Sequence, residues 1–334
     1  MEVVEINHIY YVFVKSIERS EIFKNMDNQA IRIVSLLPST TEIICALGMK
    51  ENLVGRSHEC DYPASVEKLP ACTEPKFEPD GTSYQIDQRV KALLQDGLSV
   101  YRVDAEILSS LKPDVIITQD QCEVCAASLS EVRKAVENTL GKEVDVVSVS
   151  PADLSGVFDS IHKIAAAIGA VPQGQQLVQN MNDEFEYIQS KVQAANIRNI
   201  CCLEWLEPLM AAGNWIPELV EIAGGRALGA VAGKHSPLFE WDNLLELDPE
   251  VISIMPCGYA IDKTLSEMDT LKSHKQWNKL KAVEGGQIYL LDGDQYFNRP
   301  GPRLTDSARI FAEILHPDVF KGKYRDTGWI KFNN

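Results

Sequence analysis

One stretch of this sequence constrains the fold more than any other. From Pro172 to Asn196, Leu177, Met181, Phe185, Ile188 and Val192 recur every three or four residues, while Gln, Asn, Glu and Lys fill the places between. That is the pattern of one amphipathic helix with a single buried stripe. About 24 residues at 1.5 Å each would span roughly 36 Å. On either side the pattern changes to short β-branched runs alternating with helical segments. Before it come IRIVSLL, PSTTEIICALG, NLVGRS, IDQRVKALLQDG, SVYRV, AEILSSLKP, DVIITQ, SLSEVRKAVENTLG and VDVVSVS. After it come NICCLEWL, GNWIPELVEIAGG, FEWDNLLELDPEVISIMP and, as the expected last strand, GQIYLLDG. No residue-level repeat is visible between the halves. Alternation of this kind argues for mostly parallel sheets covered on both faces. The expected fold is α/β: two α/β lobes joined by one long rigid helix, with a ligand cleft between them. The boundaries are an N-terminal extension over 1–30, a first lobe over 31–171, the bridging helix over 172–196, a second lobe over 197–320 and a tail over 321–334.

Charge and composition exclude several classes of partner. Forty-eight acidic residues against 32 basic ones give a net charge of −16, which repels nucleic acid and anionic lipid. No apolar run of about 18 residues occurs, so no membrane span is expected. The first residues, MEVVEINHIYYVFVKSIERSEIFKNMDNQ, lack the basic, apolar and small-residue succession of an export signal. Met26 offers an alternative start just before the first strand-like run. Eight cysteines among 334 residues are too sparse for a disulfide framework and suit a reducing compartment. A cytoplasmic monomer is therefore expected. No G-x-G-x-x-G, P-loop, H-E-x-x-H or G-x-S-x-G occurs, so an enzyme reading has no motif behind it.

In open α/β sheets ligands bind beyond the C-terminal ends of the strands, where loops are free to vary while the sheet carries stability. Those loops supply the candidate binding residues. The first lobe offers Pro38, Ser39 and Thr40 at a helix start, His58, Glu59, Cys60 and Tyr62 in SHECDYP, and Gln119, Gln121 and Cys122 in TQDQCEVC. The second offers Glu204, Trp205, Asn214 and Trp215 in EWLEPLMAAGNW, Cys257 in PCGYA, and Tyr296, Phe297, Arg299 and Arg303 in DQYFNRPGPR. Aromatic residues in loops favour contact with a flat apolar ligand, although each also suits a core. Arg299 and Arg303 either meet acidic or amide groups of a ligand or form structural ion pairs. Cys122 and Cys125 have three readings: small pocket-lining residues, a redox couple at a helix start, or half of a zinc site needing about two further ligands. We read them as part of the first lobe's wall.

RIVSLLPSTTEIICALG, VGRSHECDYP, LKPDVIITQDQCEVCA, EWLEPLMAAGNWIPELVEIAGG and YFNRPGPR resemble the cobalamin-binding branch of the periplasmic-binding-protein family, whose members deliver corrinoids, haem or ferric chelates to ABC importers. The resemblance runs over about residues 31–318. It departs at the front, where no export signal is visible, so the periplasm stands as the family's alternative to the cytoplasmic location expected above. It implies two lobes bridged by a rigid helix and a ligand held between them in an aromatic cleft. It also implies importer-docking acids, at Glu106 in DAEILSSLKPDVI and at Asp242 in EWDNLLELDPEVI. Joined with the loop residues, it makes a corrinoid such as cobalamin the expected ligand, held by a carrier, a store or an importer-associated binding protein, and no structural metal is expected. A macrocycle with apolar faces and amide edges suits flat walls carrying a few polar groups. The alternative on the same scaffold is haem or a ferric chelate. His58, as a neutral imidazole, is the candidate axial ligand to cobalt or iron, with Tyr296 a second candidate for iron. A thiol-dependent redox protein using Cys122 and Cys125 is the reading from another class.

Overall fold

The structure, a computed structural model, describes residues 30–95, 99–119, 132–136 and 144–333. The expected N-terminal extension apart from Ala30, and with it Gln121, Cys122 and Cys125, lies outside the described residues. The first lobe is built on a parallel sheet of order β2-β1-β5-β6, from β1 (Ile33–Ser35), β2 (Leu53–Arg56), β5 (Val115–Gln119) and β6 (Asp145–Val149). Every residue of β1 and β5 is buried, as a central parallel strand covered on both faces requires. SVYRV does not enter this sheet. Its core, β4 (Tyr101–Val103), pairs antiparallel with β3 (Thr73–Pro75) in a separate ribbon. A helix, Ser83–Gln95, is inserted between the two ribbon strands.

The bridging helix runs over Val171–Val192, 22 residues, with Pro172 in its first turn and Met181, Phe185, Ile188 and Val192 on its buried stripe. At 1.5 Å per residue it spans roughly 33 Å. It ends earlier than its sequence pattern, because the Ala195 N–H closes a turn onto the Val192 carbonyl. The helix before it, Leu154–Ala167, was not distinguished in the sequence. It is capped by Asp153, whose carboxylate accepts from the Gly156 N–H at 2.7 Å. The two helices cross closely at Gly174, where a Cβ would lie 2.6 Å from that of Ala165.

The second lobe has β7 (Arg198–Trp205) flanked by parallel β9 (Gly225–Leu228) and β10 (Val251–Ile254), with β11 (Ile288–Leu291) parallel to β10. The antiparallel β8 (Met210–Ala211) pairs with the end of β7. Cys201 and Cys202 point to opposite faces of β7, into separate cores. The expected tail belongs to this lobe: β12 (Trp329–Phe332) pairs antiparallel with β11 and covers the sheet edge, so GQIYLLDG is not the last strand.

A repeat does exist, on the scale of one helix and one strand. Helices Ala105–Leu111 and Trp241–Leu247 are seven residues each, and each ends in a left-handed residue, Lys112 at φ 47° and Asp248 at φ 39°. A proline and then an acid follow in both. Asp114 accepts from the Arg32 N–H and Glu250 from the Asn199 N–H, both at 2.9 Å. LKPDVI and LDPEVI are the same device, tying a helix to the strand that follows and to the start of its sheet neighbour.

Candidate ligand cleft

The two lobes meet through a cluster of charges. Glu42, on the helix Pro38–Ala46 that leaves β1, accepts from Arg303 Nε at 2.8 Å and Nη2 at 2.5 Å, and from Arg299 Nη1 at 3.2 Å. Asp61, in the loop after β2, accepts from Arg299 Nη1 at 2.5 Å and Nη2 at 3.2 Å. Asp294 accepts from Arg299 Nη2 at 3.0 Å, and Gln295 donates to Asp61 at 2.6 Å. Burial alone would raise Asp61 and lower Arg299, but their mutual hydrogen bonds and charge win: the carboxyl lies below its ordinary range and the guanidinium above. Arg303 also lies between two rings, 3.9 Å from the centre of Tyr62 and 5.4 Å from that of Tyr296. Of the two readings left open for Arg299 and Arg303, the structure shows the protein ion pair.

The residues carrying Arg299 are fixed from their own lobe. Asp292 accepts from the Asp294 and Gln295 N–H groups, holding a single wide turn over Gly293–Phe297. Gly293 sits against the Pro256 and Met255 backbone, where no side chain fits.

The first lobe adds a wall of hydrogen-bonded polar groups. Thr73 Oγ1 donates to Ser57 Oγ at 3.0 Å. With its proton so used, it accepts from the His58 backbone N–H at 3.1 Å and from ring Nδ1 at 2.8 Å. Nδ1 is then the donor, which leaves the ring's lone pair on Nε2. Burial, then the Arg56 charge, lowers the His58 pKa, which favours the neutral ring. Tyr101 packs edge-on to His58 at 5.0 Å and donates to Glu59 at 2.6 Å.

Burial pushes the half-buried Glu59 up, against the opposing Tyr101 bond and Arg299 charge. Since the folded value lies above the unfolded one, its contribution is full below the ordinary glutamate pKa of about 4.3 and is lost as pH rises through the folded value. Glu59→Gln, which keeps an acceptor for Tyr101, is expected to raise the urea midpoint at about pH 8 and leave it unchanged near pH 3.5. A midpoint that does not rise at the higher pH would refute the raised carboxyl.

Several candidates sit elsewhere. Thr40 is fully buried and bonds Ser35 Oγ at 2.7 Å, and Ser39 is also buried, whereas Pro38 is half-buried. Cys60 is a core residue 3.0 Å from Thr41 Oγ1, and burial raises its thiol to about 12. Trp215 and Phe297 belong to the core, not to an open wall: the indole N–H donates to the Phe297 carbonyl at 2.9 Å, and Phe297 packs on Phe311 at 5.0 Å. Gln119 is buried at the end of β5; Glu204 and Asn214 are half-buried; Cys257 is exposed. Trp205 packs on Tyr259 at 5.4 Å, and its buried N–H has no partner among the described residues. Glu42, Asp61, Thr73, Tyr101 and Asp294 were absent from the sequence candidates. Among the described residues no group of three or more His, Cys, Asp or Glu side chains is arranged to hold a metal ion, and no helix is long and apolar enough to cross a membrane.

Comparison with known proteins agrees with this architecture. An uncharacterised ABC transporter substrate-binding lipoprotein of Bacillus subtilis, YvrC, is 23% identical over 295 residues, covering 87% of this chain and 81% of that protein. A vitamin B12-binding protein of Vibrio parahaemolyticus is 22% identical over 286 residues, covering 84% and 88%. The crystal structure of a periplasmic haem-binding protein from Pseudomonas aeruginosa superposes with a TM-score of 0.64 at 18% identity, covering 87% of this chain and 94% of that one. The cytoplasmic location expected from the sequence finds no support in these relatives. The periplasmic binding protein family model matches residues 33–295, most of the chain, and the chain belongs to that family.

Proposed function

We propose that this protein binds a corrinoid in the cleft between its lobes, without catalysis, as a monomer, and presents it to an ABC importer. The observation that carries the choice of ligand is the state of the cleft arginines. Arg299 and Arg303 are already engaged by Glu42, Asp61 and Asp294. A ligand edged by carboxylates would have to compete with those acids, at the cost of leaving buried charge unpaired. A ligand edged by neutral amides needs only hydrogen bonds from uncharged groups such as the exposed Tyr62 hydroxyl, and displaces no buried charge. Similarity to a vitamin B12-binding protein supports the same choice. His58 is the proposed axial ligand, since Thr73 holds its Nδ1 and so leaves the Nε2 lone pair to a metal, the part that an outer acceptor plays for a metal-bound imidazole.

Glu106 and Asp242 are proposed to dock the importer. Both are exposed and occupy the second position of the two matched helices, so a partner with two related halves would meet equivalent charges. Asp242 also accepts from Gln276.

The second reading, haem, rests on the same His58 geometry, which serves iron equally well, and on the likeness to a haem-binding fold. Titration of the purified protein with aquocobalamin and with haemin, followed by visible absorption and calorimetry, separates the two. Saturable 1:1 uptake of aquocobalamin, with a band shift lost in His58→Ala, is expected. Uptake of haemin without aquocobalamin would transfer the function to haem.

A further inference from the structure

A second tie joins the lobes, distant in sequence from the arginine cluster. The Ser83 backbone N–H donates to Glu267 Oε2 at 2.8 Å, and Lys263 Nζ donates to the Gly81 carbonyl at 2.5 Å. The other oxygen of Glu267 accepts from Tyr259 Oη at 3.0 Å and lies 3.7 Å from Lys263 Nζ. Glu267 is only 6% exposed. A buried carboxylate of one lobe is thus satisfied in part by a backbone N–H of the other, and separating the lobes here leaves an acceptor short of a donor.

The segment that reaches across is stiff. It leads from β3 into the inserted helix, and Arg89 of that helix donates to the carbonyls of Glu78 at 2.8 Å and Asp80 at 2.5 Å. Thr82 and Gln85 cap each other across the helix start, at 3.0 and 3.3 Å. Gly81 adopts φ +136°, a conformation open to glycine but strained for other residues. At the far end of the insertion, Tyr101 of β4 touches both His58 and Glu59, so displacement of the segment is felt at the wall of the cleft. Its seat holds two buried polar groups, Ser83 Oγ and Trp205 Nε1, the latter on the ring tilted against Tyr259, that have no protein partner among the described residues. Native interiors rarely tolerate such groups without a reason. A seat that is occupied only part of the time supplies one.

We infer that residues 76–83 form a strap that fastens to Glu267 and Lys263 and has to lift before a macrocycle enters or leaves the cleft. The ligand, though not the motion, rests on the corrinoid reading. The test uses the full chain and two variants, Glu267→Ala and the milder Lys263→Met, which guards against a folding failure of the first. Amide exchange over residues 80–95 is expected to accelerate at least about tenfold in the variants, with β1 and β10 unchanged. Stopped-flow mixing with cyanocobalamin is expected to give on- and off-rates each raised about tenfold, while Kd moves less than about threefold. Unchanged exchange in both variants overturns the strap, as do unchanged rates in a variant whose exchange has risen. Failure of the wild-type protein to take up cyanocobalamin would count against the corrinoid reading alone, and the exchange measurement would still decide the strap.

Discussion

Glu42→Ala will lower folding stability by about 3–5 kcal/mol, the range for removing one partner of a buried ion pair. Glu42 is 4% exposed and Arg299 6%. The loss falls hardest on Arg303, which among the described residues keeps only Gln295 as a hydrogen-bond partner, at 2.9 Å, whereas Arg299 still has Asp61 and Asp294. The large cost comes from stranding a desolvated guanidinium, and this is a different quantity from the net worth of the pair. The double variant Glu42→Leu with Arg303→Met removes both charges while keeping apolar bulk between Tyr62 and Tyr296. It should return to within about 1 kcal/mol of the wild type, because replacing a buried pair by packed apolar groups is often neutral. Urea denaturation of the three proteins checks both statements. A loss below about 1 kcal/mol in Glu42→Ala would mean that water reaches the arginine readily.

The same cluster marks where sequence reasoning stopped. The two arginines stood out in YFNRPGPR, but Glu42 and Asp61 lie 257 and 238 residues before Arg299, and no local pattern links such positions. The bridging helix and the buried parallel strands were legible because periodicity is a local property, written within one turn or one pleat. The ribbon strands are three residues each, too short to alternate convincingly. Strand β12 was read as tail because its partner β11 lies about forty positions earlier, joined to it across a helix and a turn. Trp215 and Phe297 show the limit of treating loop aromatics as ligand walls: an indole N–H with a backbone acceptor to hand becomes a core tie. The repeat of LKPDVI in LDPEVI was within reach, since both strings carry a leucine, a proline, an acid and Val-Ile at the same spacing. Its meaning depended on seeing both acids accept from a strand N–H.

Freeing Arg299 should change which macrocycle the cleft prefers. Three carboxylates, Glu42, Asp61 and Asp294, face two guanidiniums, Arg299 and Arg303, for a formal balance of −1. Asp61→Asn with Asp294→Asn changes the balance to +1 and leaves Arg299 with Glu42 as its one charged partner. Side-chain amides keep acceptor oxygens for the guanidinium, so the loop geometry set by Asp292 is preserved. An anionic propionate edge can then form the charge-assisted bonds that Asp61 now occupies. Haemin affinity is expected to rise at least about tenfold, which corresponds to roughly 1.4 kcal/mol, while cyanocobalamin, whose amide edge gains no such pair, should change by less than about threefold. Calorimetry at two salt concentrations sharpens the comparison, because the gained pair should weaken at higher ionic strength. If haemin binds no better once Arg299 is freed, the arginine does not face the ligand. The cluster would then act only between the lobes, and the neutral character of the ligand would have to be argued from other residues.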